Sequence, residues 1–384
     1  MRICMLGWYG TETIGDRAIF AGLLTLFLSQ KDISISLGSL YPFYSQRMLL
    51  EDKELYNKLI GRYVDIELFD STNKQCLKYN IAKSDIVVVA GGPLMDIDEM
   101  YMLKYAFQYA KKNNKYCMIA GCGVGPIFQD KYKKILLNII NLSDLVILRD
   151  NVSRQSLLSI ADEFAVTLNT KSITVAIDPA AICAYRYKKI VSNHVKRQYV
   201  AINFRDFPME YTKDKLIVKE NINNLIVDLL TKITREFSTE IRLIPMHYFC
   251  VGNDDRYFLN SLAMRSGLSN VYVQNKPLSL QHTMDVYYEA YVGIGMRFHS
   301  IVLQTVLNGS NYIIDYTESK KGKIIGFLND IDKKGFYNDR YVNLQDKNNI
   351  FNITDNNKRL DVSAIDEYCD YGIRVYNKLI KKVI

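Results

Sequence analysis

Short apolar runs that stop at a glycine, each followed by a helical pattern, restrict most strongly what this chain can fold into. Ile3-Cys4-Met5-Leu6 runs into Gly7-Trp8-Tyr9-Gly10 and on to Gly15-Asp16. The following stretch, Arg17–Ser29, places Ile19, Leu23, Leu26 and Phe27 at helical spacing. The same order recurs at Ile86–Val89 before Gly91-Gly92-Pro93, and at Tyr116–Ala120 before Gly121-Cys122-Gly123-Val124-Gly125-Pro126. It returns at Tyr291–Gly293 before Gly295-Met296-Arg297. Such alternation predicts βαβ units and a mostly parallel sheet. Strands Ile33–Leu37 and Leu145–Leu148 and helix Lys131–Asn141 complete the first series.

A second series follows the polar, basic stretch Tyr185–Gln198. It reads as strand Tyr199–Phe204, helix Ile222–Phe237, strand Ile241–Pro245, helix Asp255–Ser266 and strand Asn270–Val273. Helix Thr283–Ala290, strand Tyr291–Gly293, helix His299–Leu307 and strand Asn311–Asp315 come next. A chain of 384 residues exceeds one ordinary core. The expected fold is therefore α/β, with two Rossmann-like doubly wound domains facing a cleft, 1–190 and 191–362. Residues 363–384 read as a helix returning to the first domain. Ligands of such sheets bind at the carboxyl ends of the strands, where strand order reverses.

Composition narrows the function. At 48% hydrophobic and 23% charged the chain is globular rather than disordered. No apolar run approaches the roughly 18 residues of a membrane span; Ala18–Leu28 is short and broken by Gly22 and Thr25. The Met-Arg start leads directly into a strand without a secretory pattern, so a soluble cytoplasmic protein is expected. The seven cysteines form no C-x-x-C pair and no zinc spacing, and are expected to be reduced and buried. The net charge of +8 is spread over pairs such as Lys111-Lys112, Lys133-Lys134 and Lys320-Lys321. Nucleic acid calls for a concentrated basic face and is not expected. An acidic small substrate, or a headgroup at a membrane surface, fits the charge.

The glycine turns let a ligand approach bare backbone, and where they open a helix they make anion sites. Asp16 opposes a phosphate at the first turn. It reads as an N-cap or as an acceptor for sugar hydroxyls, so that turn suits a polyol. Pro126 prevents G-x-G-x-x-G, leaving little support for a nicotinamide dinucleotide. In Gly293-Ile294-Gly295-Met296-Arg297-Phe298-His299, Arg297 can clamp a carboxylate or phosphate and His299 can donate to it or move a proton. Spacing alone leaves open a His that caps its own helix and an Arg paired with a local Asp. Arg205 and Arg149 also follow strands, and three converging arginines imply a ligand with more than one negative group. Asp96-Ile97-Asp98 matches D-x-D but sits in an acidic loop with Glu99; no metal and no cofactor is expected. Asp178-Pro179 and Asp254-Asp255 read as caps or turns, and no G-x-S-x-G nucleophile turn is present.

Taken in order, these stretches resemble the polysaccharide pyruvyl transferase family over roughly residues 3–328. Gly7-Trp8-Tyr9-Gly10…Gly15-Asp16 resembles G-Y-Y-G-x-x-N-x-G-D, and Gly91-Gly92-Pro93-Leu94-Met95-Asp96 resembles G-G-G-L-L-x-D. Gly121–Pro126 resembles G-Q-G-I-G-P, Leu148-Arg149-Asp150 resembles S-x-R-D, and Asp178-Pro179-Ala180 resembles D-P-A. Met296-Arg297-Phe298-His299-Ser300 is similar to M-R-L-H-S, and Asp315-Tyr316…Lys323…Gly326-Phe327 to Y-D-x-K-x-x-G-F. Thr11-Glu12-Thr13 departs from the Gly- and Asn-containing centre of the first motif. Arg17 stands where an acid is common, and Pro93 replaces a third glycine.

The resemblance implies a GT-B-like fold with phosphoenolpyruvate as donor substrate and a sugar, free or lipid-linked, as acceptor. It implies a pyruvate ketal as product, formed for a cell-surface polysaccharide, with a lipid-linked acceptor suiting peripheral contact with the inner membrane face. Arg297, Phe298, His299, Lys323 and Arg205 would bind the donor in the second domain. Gly10, Gly15, Asp16, Gly91, Gly92, Gly123 and Arg149 would serve the acceptor or the turns of the first. His299, Arg297, Asp16 and Asp96 are the catalytic candidates. A GT-B glycosyltransferase using a nucleotide sugar and a non-catalytic glycan-binding protein are the alternatives.

Overall fold

A computed structural model describes residues 1–29, 33–191, 197–208, 215–249, 251, 253–317, 322–345, 353–354 and 358–383. The Lys320-Lys321 pair and residues 192–196 of the basic stretch lie outside the described residues. The chain forms two compact units, Met1–Ile190 with Tyr368–Ile384, and Val191–Glu367.

The strands of the first unit are β1 (Arg2–Leu6), β2 (Ser34–Ser39), β3 (Ile66–Asp70), β4 (Ile86–Ala90), β5 (Pro93–Leu94), β6 (Tyr116–Val124), β7 (Leu145–Leu148) and β8 (Ile173–Val175). Its helices are α1 (Ile14–Phe27), α2 (Pro42–Glu51), α3 (Lys53–Ile60), α4 (Lys74–Lys83), α5 (Glu99–Lys112), α6 (Asp130–Leu142), α7 (Asn151–Glu163) and α8 (Pro179–Ile190). The strands pair in parallel in the order β3-β2-β1-β4-β6-β7-β8, with β5 beside β6. Strand order reverses between β1 and β4, where Met5 lies opposite Val88. That junction carries the turns at Gly7 and Gly91. β4 reads Ile-Val-Val-Val-Ala and is buried throughout, as a parallel strand covered on both faces must be.

The sequence reading missed β3 and β8, which form the two edges of this sheet. An edge strand buries less than a central one, so Ile66–Asp70 carries exposed Glu67 and shows no continuous apolar run. The stretch read as a linker from Tyr185 is helical as far as Ile190. Tyr185 and Tyr187 are buried there, extending α8. The buried free thiols Cys4, Cys117 and Cys122 are pushed up to about 12 by burial. None of the helices among the described residues is long and apolar enough to cross a membrane.

In α1 every residue but Asp16 is buried, because the helix is apolar nearly all round. It lies against α8 with almost no spacing: a Cβ on Gly22 would sit 2.0 Å from the Pro179 carbonyl oxygen. The residues of the chain's last helix from Tyr368 onward also belong to this unit, and the Tyr376 hydroxyl donates to the Ile177 carbonyl at 3.1 Å.

The second unit contains β9 (Tyr199–Asn203), β10 (Glu240–Leu243), β11 (Val271–Val273), β12 (Val292–Gly295), β13 (Asn311–Asp315) and β14 (Tyr341–Asn343). Its helices are α9 (Lys215–Phe237), α10 (Asp255–Ser266), α11 (Leu280–Glu289), α12 (Phe298–Leu307) and α13 (Lys323–Ile331); α14 (Val362–Ile380) starts in this unit. The parallel order is β11-β10-β9-β12-β13-β14, so the reversal falls between β9 and β12. Val200, Ile202, Leu243 and Ile294 of the sheet pack with Ile226, Leu230 and Ile233 of α9.

Gly22→Ala forces a methyl into backbone that has no rotamer with which to yield. A loss of about 1–3 kcal/mol is expected, of the size measured for overpacked cores. Urea unfolding followed by far-ultraviolet dichroism measures it; an unchanged midpoint would contradict the close α1–α8 contact.

Candidate active site

Parallel neighbours β9, β12 and β13 each deliver one polar side chain just past their carboxyl ends: Arg205, Arg297 and Tyr316. Asn203, the last residue of β9, pins the adjoining turn. Its side-chain oxygen accepts the Arg297 N–H at 2.9 Å, and its carbonyl accepts the Met296 N–H at 3.0 Å. Both arginines therefore leave the sheet at the strand-order reversal, the position at which open α/β sheets bind ligands.

Arg297 is 8% exposed and Asp255 is 3% exposed. The guanidinium binds this carboxylate as a fork, with Nε donating to its oxygens at 2.8 and 3.1 Å and Nη2 donating to Oδ1. Oδ2 of Asp255 also accepts the backbone N–H groups of Met246 (3.0 Å) and His247 (3.1 Å). Burial pulls the Arg297 guanidinium below its ordinary value; Asp255 opposes that, and Arg205 adds repulsion. Nη1 is the guanidinium nitrogen left without a partner among the described residues, so the fork aims one donor elsewhere.

This arrangement settles two readings that the spacing left open. The partner of Arg297 stands 42 residues away rather than locally, and Asp255 is no cap. Capping of α10 falls to Asp254, which accepts the Arg256 N–H at 3.0 Å. His299 does not cap α12 either, because Arg297 occupies the cap position. His299 is half-buried in the first turn of that helix, edge-on to buried Phe298 at 5.1 Å.

Tyr316, which the sequence offered only as a motif letter, proves central. Arg205 stacks on its ring at 4.9 Å and donates from Nη1 to its hydroxyl at 3.3 Å. Lys323, the first residue of α13, lies 5.9 Å from the Tyr316 ring and 5.9 Å from that of Phe298. Burial pushes the phenol up, but Lys323, then Arg205 and Arg297, outweigh it and hold the group down at about 8. Next to it, the Asp315 carboxylate accepts from Thr317 N–H and hydroxyl, both at 2.7 Å, and from the Tyr341 hydroxyl at 2.9 Å.

In the first unit Asp16 does not cap α1. Thr13 does, accepting the Asp16 N–H at 3.2 Å, and Asp16 follows in the first turn. The Asp16 carboxylate is half-buried, receiving the Thr13 hydroxyl, the Thr11 hydroxyl at 3.4 Å and the Gly92 N–H at 3.3 Å. Gly92 is required here, since a Cβ would come 2.2 Å from the Trp8 ring. Gly10, Thr11, Thr13 and Asp16 line a pocket of about 10 Å³, room for one water. Gly15 is buried in the first turn of α1, and Gly91 turns the chain at φ +87° beyond β4.

The unusual residues of the first motif pair with one another. Arg17, 3% exposed, donates to Glu12 at 2.9 Å, to Glu51 at 2.9 Å and to Asp52 at 3.3 Å, while Arg47 adds a second contact to Glu12 at 2.9 Å. Arg149, the third arginine read at a strand end, is held by carboxylates of its own unit. It is buried beside Gly123 and paired with Asp150 (3.3 Å) and Asp178 (3.4 Å), where it joins the ends of β7 and β8. Asp96 anchors the loop after β6 by accepting the N–H groups of Phe128 (2.9 Å) and Gln129 (3.3 Å). Its D-x-D neighbour Asp98 accepts from the Tyr132 hydroxyl at 2.5 Å. No group of three or more potential metal ligands occurs among the described residues.

A family model described as polysaccharide pyruvyl transferase matches residues 14–319. No curated protein sequence matches the chain. Among solved structures, the UDP-GlcNAc 2-epimerase of Methanocaldococcus jannaschii is similar over 100% of this chain and 99% of its own, with a TM-score of 0.57 and 11% identity. A putative UDP-N-acetylglucosamine 2-epimerase of Listeria monocytogenes is similar over 98% of this chain and 89% of its own, at TM-score 0.54 and 13% identity. At such identities these likenesses establish the fold, GT-B-like with two Rossmann-like domains.

Asp255→Ala strands a buried guanidinium without its counter-ion, a change that typically costs about 3–5 kcal/mol. The second unit is expected to unfold at correspondingly lower denaturant in equilibrium titrations. Asp255→Ala with wild-type stability would show that the pair does not hold the site.

Proposed function

This chain belongs to the polysaccharide pyruvyl transferase family, and on that premise we propose that it transfers the enolpyruvyl group of phosphoenolpyruvate to a sugar of a cell-surface polysaccharide or its lipid-linked precursor. The product is a pyruvate ketal, and phosphate is released. The observation that carries this reading is the cationic group Arg205, Arg297 and Lys323 around Tyr316 at the carboxyl ends of the second sheet. Phosphoenolpyruvate holds a carboxylate and a phosphate on three carbons, and a compact double anion is the partner such a cluster favours.

The chemistry balances within the two substrates. One acceptor hydroxyl adds to C2 and a second displaces phosphate from it. One hydroxyl proton ends on C3, making the methyl group, and the other ends on the departing phosphate. Arg297, Arg205 and Lys323 stabilise the charge that gathers on carboxylate and phosphate. His299, in the first turn of α12, serves as acid or base, or as a donor to the phosphate. In the first unit Asp16 takes a sugar hydroxyl, with Thr11 and Thr13 supplying further hydroxyl contacts. A lipid-linked acceptor would bring this basic chain to the inner face of the membrane.

Arg297→Lys keeps the charge but loses the fork, and His299→Ala removes the proton carrier. Each is expected to lower acceptor-dependent phosphate release from phosphoenolpyruvate by about 10²–10³-fold. Asp16→Asn is expected to lower turnover while leaving the thermal shift produced by phosphoenolpyruvate intact. Wild-type turnover in both Arg297→Lys and His299→Ala would remove these residues from the reaction. A thermal shift with UDP and none with phosphoenolpyruvate would replace the donor by a nucleotide.

A further inference from the structure

Three aromatic rings stand beside the Asp16 turn, where the proposed reaction gives them no task. Tyr41, Phe43 and Tyr44 follow β2, and Phe43 and Tyr41 are 74% and 45% exposed. The rings pack edge to face, Phe43 on Tyr44 at 5.6 Å and Tyr41 on Tyr44 at 6.5 Å. Their place is fixed from beneath. The buried Ser39 hydroxyl, at the end of β2, accepts the Tyr41 N–H at 3.1 Å, meets the Ser45 hydroxyl at 2.8 Å and donates to the Tyr9 carbonyl at 3.3 Å. The Leu40 N–H donates to the same Tyr9 carbonyl at 2.9 Å, so the turns after β1 and β2 are tied together. Pro42 opens α2 and keeps Tyr41 out of helical backbone. Grouped rings held rigid and left in water mark an interaction surface.

Tyr44 is the link to Asp16. It lines the same water-sized pocket as Asp16, Thr11 and Thr13, whereas Phe43 and Tyr41 stand one ring further out. We infer that Phe43 and Tyr41 stack against the C–H face of a pyranose next to the one whose hydroxyl Asp16 takes, so that the acceptor is an oligosaccharide chain rather than a single sugar. This rests on the reading of the Asp16 turn as the acceptor site.

The attraction comes from the ring quadrupole, whose negative face draws the weakly positive hydrogens lined up on one side of a pyranose. A bilayer is the competing occupant of exposed aromatics, and a helix lying in one carries Lys and Arg to meet its headgroups. The one cation of α2, Arg47, is committed to Glu12 at 2.9 Å and to Glu51 at 2.8 Å. A neutral, hydroxyl-rich ligand suits such a surface better than an anionic membrane.

The test is an array of mono- and oligosaccharides of glucose, galactose, mannose and N-acetylglucosamine, probed with the whole chain, followed by calorimetric Kd values for the glycans retained. Wild type is compared with Phe43→Leu, Tyr41→Leu, Phe43→Trp and Asp16→Ala; leucine keeps apolar bulk at an exposed position and removes the π face. Wild type is expected to retain oligosaccharides in preference to the matching monosaccharides. Each leucine variant should raise the oligosaccharide Kd about three- to tenfold, and Phe43→Trp should keep it near wild type. Retention of no glycan, or an unchanged Kd in both leucine variants, overturns the inference. Binding to phosphatidylglycerol vesicles that Phe43→Leu abolishes makes the rings a membrane contact and overturns it as well. Oligosaccharide binding that depends on Phe43 and not on Asp16 upholds the stacking rings and overturns the acceptor reading of the Asp16 turn. The array contains no phosphoenolpyruvate, so its result is separate from the donor reading.

Discussion

The buried fork between Arg297 and Asp255 is the contact on which the second unit's site depends. A guanidinium with two nitrogens bound to one carboxylate has little rotational freedom left. The carboxylate is itself tied to two backbone N–H groups beyond β10, so three separate stretches of chain meet at one oxygen pair. Burying such a pair does not by itself stabilise a fold. What it supplies here is position, because the remaining donor of Arg297 is held at the strand-order reversal.

A second level of organisation is built on that fixed arginine. Arg205 leaves the neighbouring strand, its backbone N–H against the Met296 sulfur at 3.4 Å, and folds its guanidinium over Tyr316. Lys323 approaches the same ring from α13, where the Asp315–Thr317 hydrogen bonds shape the start of the connection. Like charges gathered in this way need an opposing charge close by. Asp255 supplies one to Arg297, and Asp315 acts on Lys323.

The first unit solves a different problem. Glu12 lies in the stretch that departs from the centre of the family's first motif, Arg17 stands where that pattern commonly has an acid, and the two pair with each other in a buried network. The network fills space behind Asp16 and leaves room for only a water-sized pocket. Asp16, in the first turn of an otherwise buried helix, stays half-buried with the Thr11 and Thr13 hydroxyls on its carboxylate. Two departures that look unrelated along the chain are thus a single compensated change.

The sequence alone settled the class of fold, because central parallel strands such as Ile86–Ala90 must be continuous apolar runs, and because glycines mark where those strands end. It also marked Arg205, Arg297 and His299, since each follows a strand or stands at a helix start, whereas Lys323 was marked only by its place in the family's Y-D-x-K-x-x-G-F pattern. Edge strands such as Ile66–Asp70 escaped because they bury less and show no such run. Only the tertiary structure decided which charges are committed to which partners. Arg149 and Arg297 follow strands in the same way, yet Arg149 closes on Asp150 and Asp178 while Arg297 is held by Asp255 with one donor to spare. Side-chain pairing is set by distance in space, and partners 29 and 42 residues away leave no periodic signature along the chain.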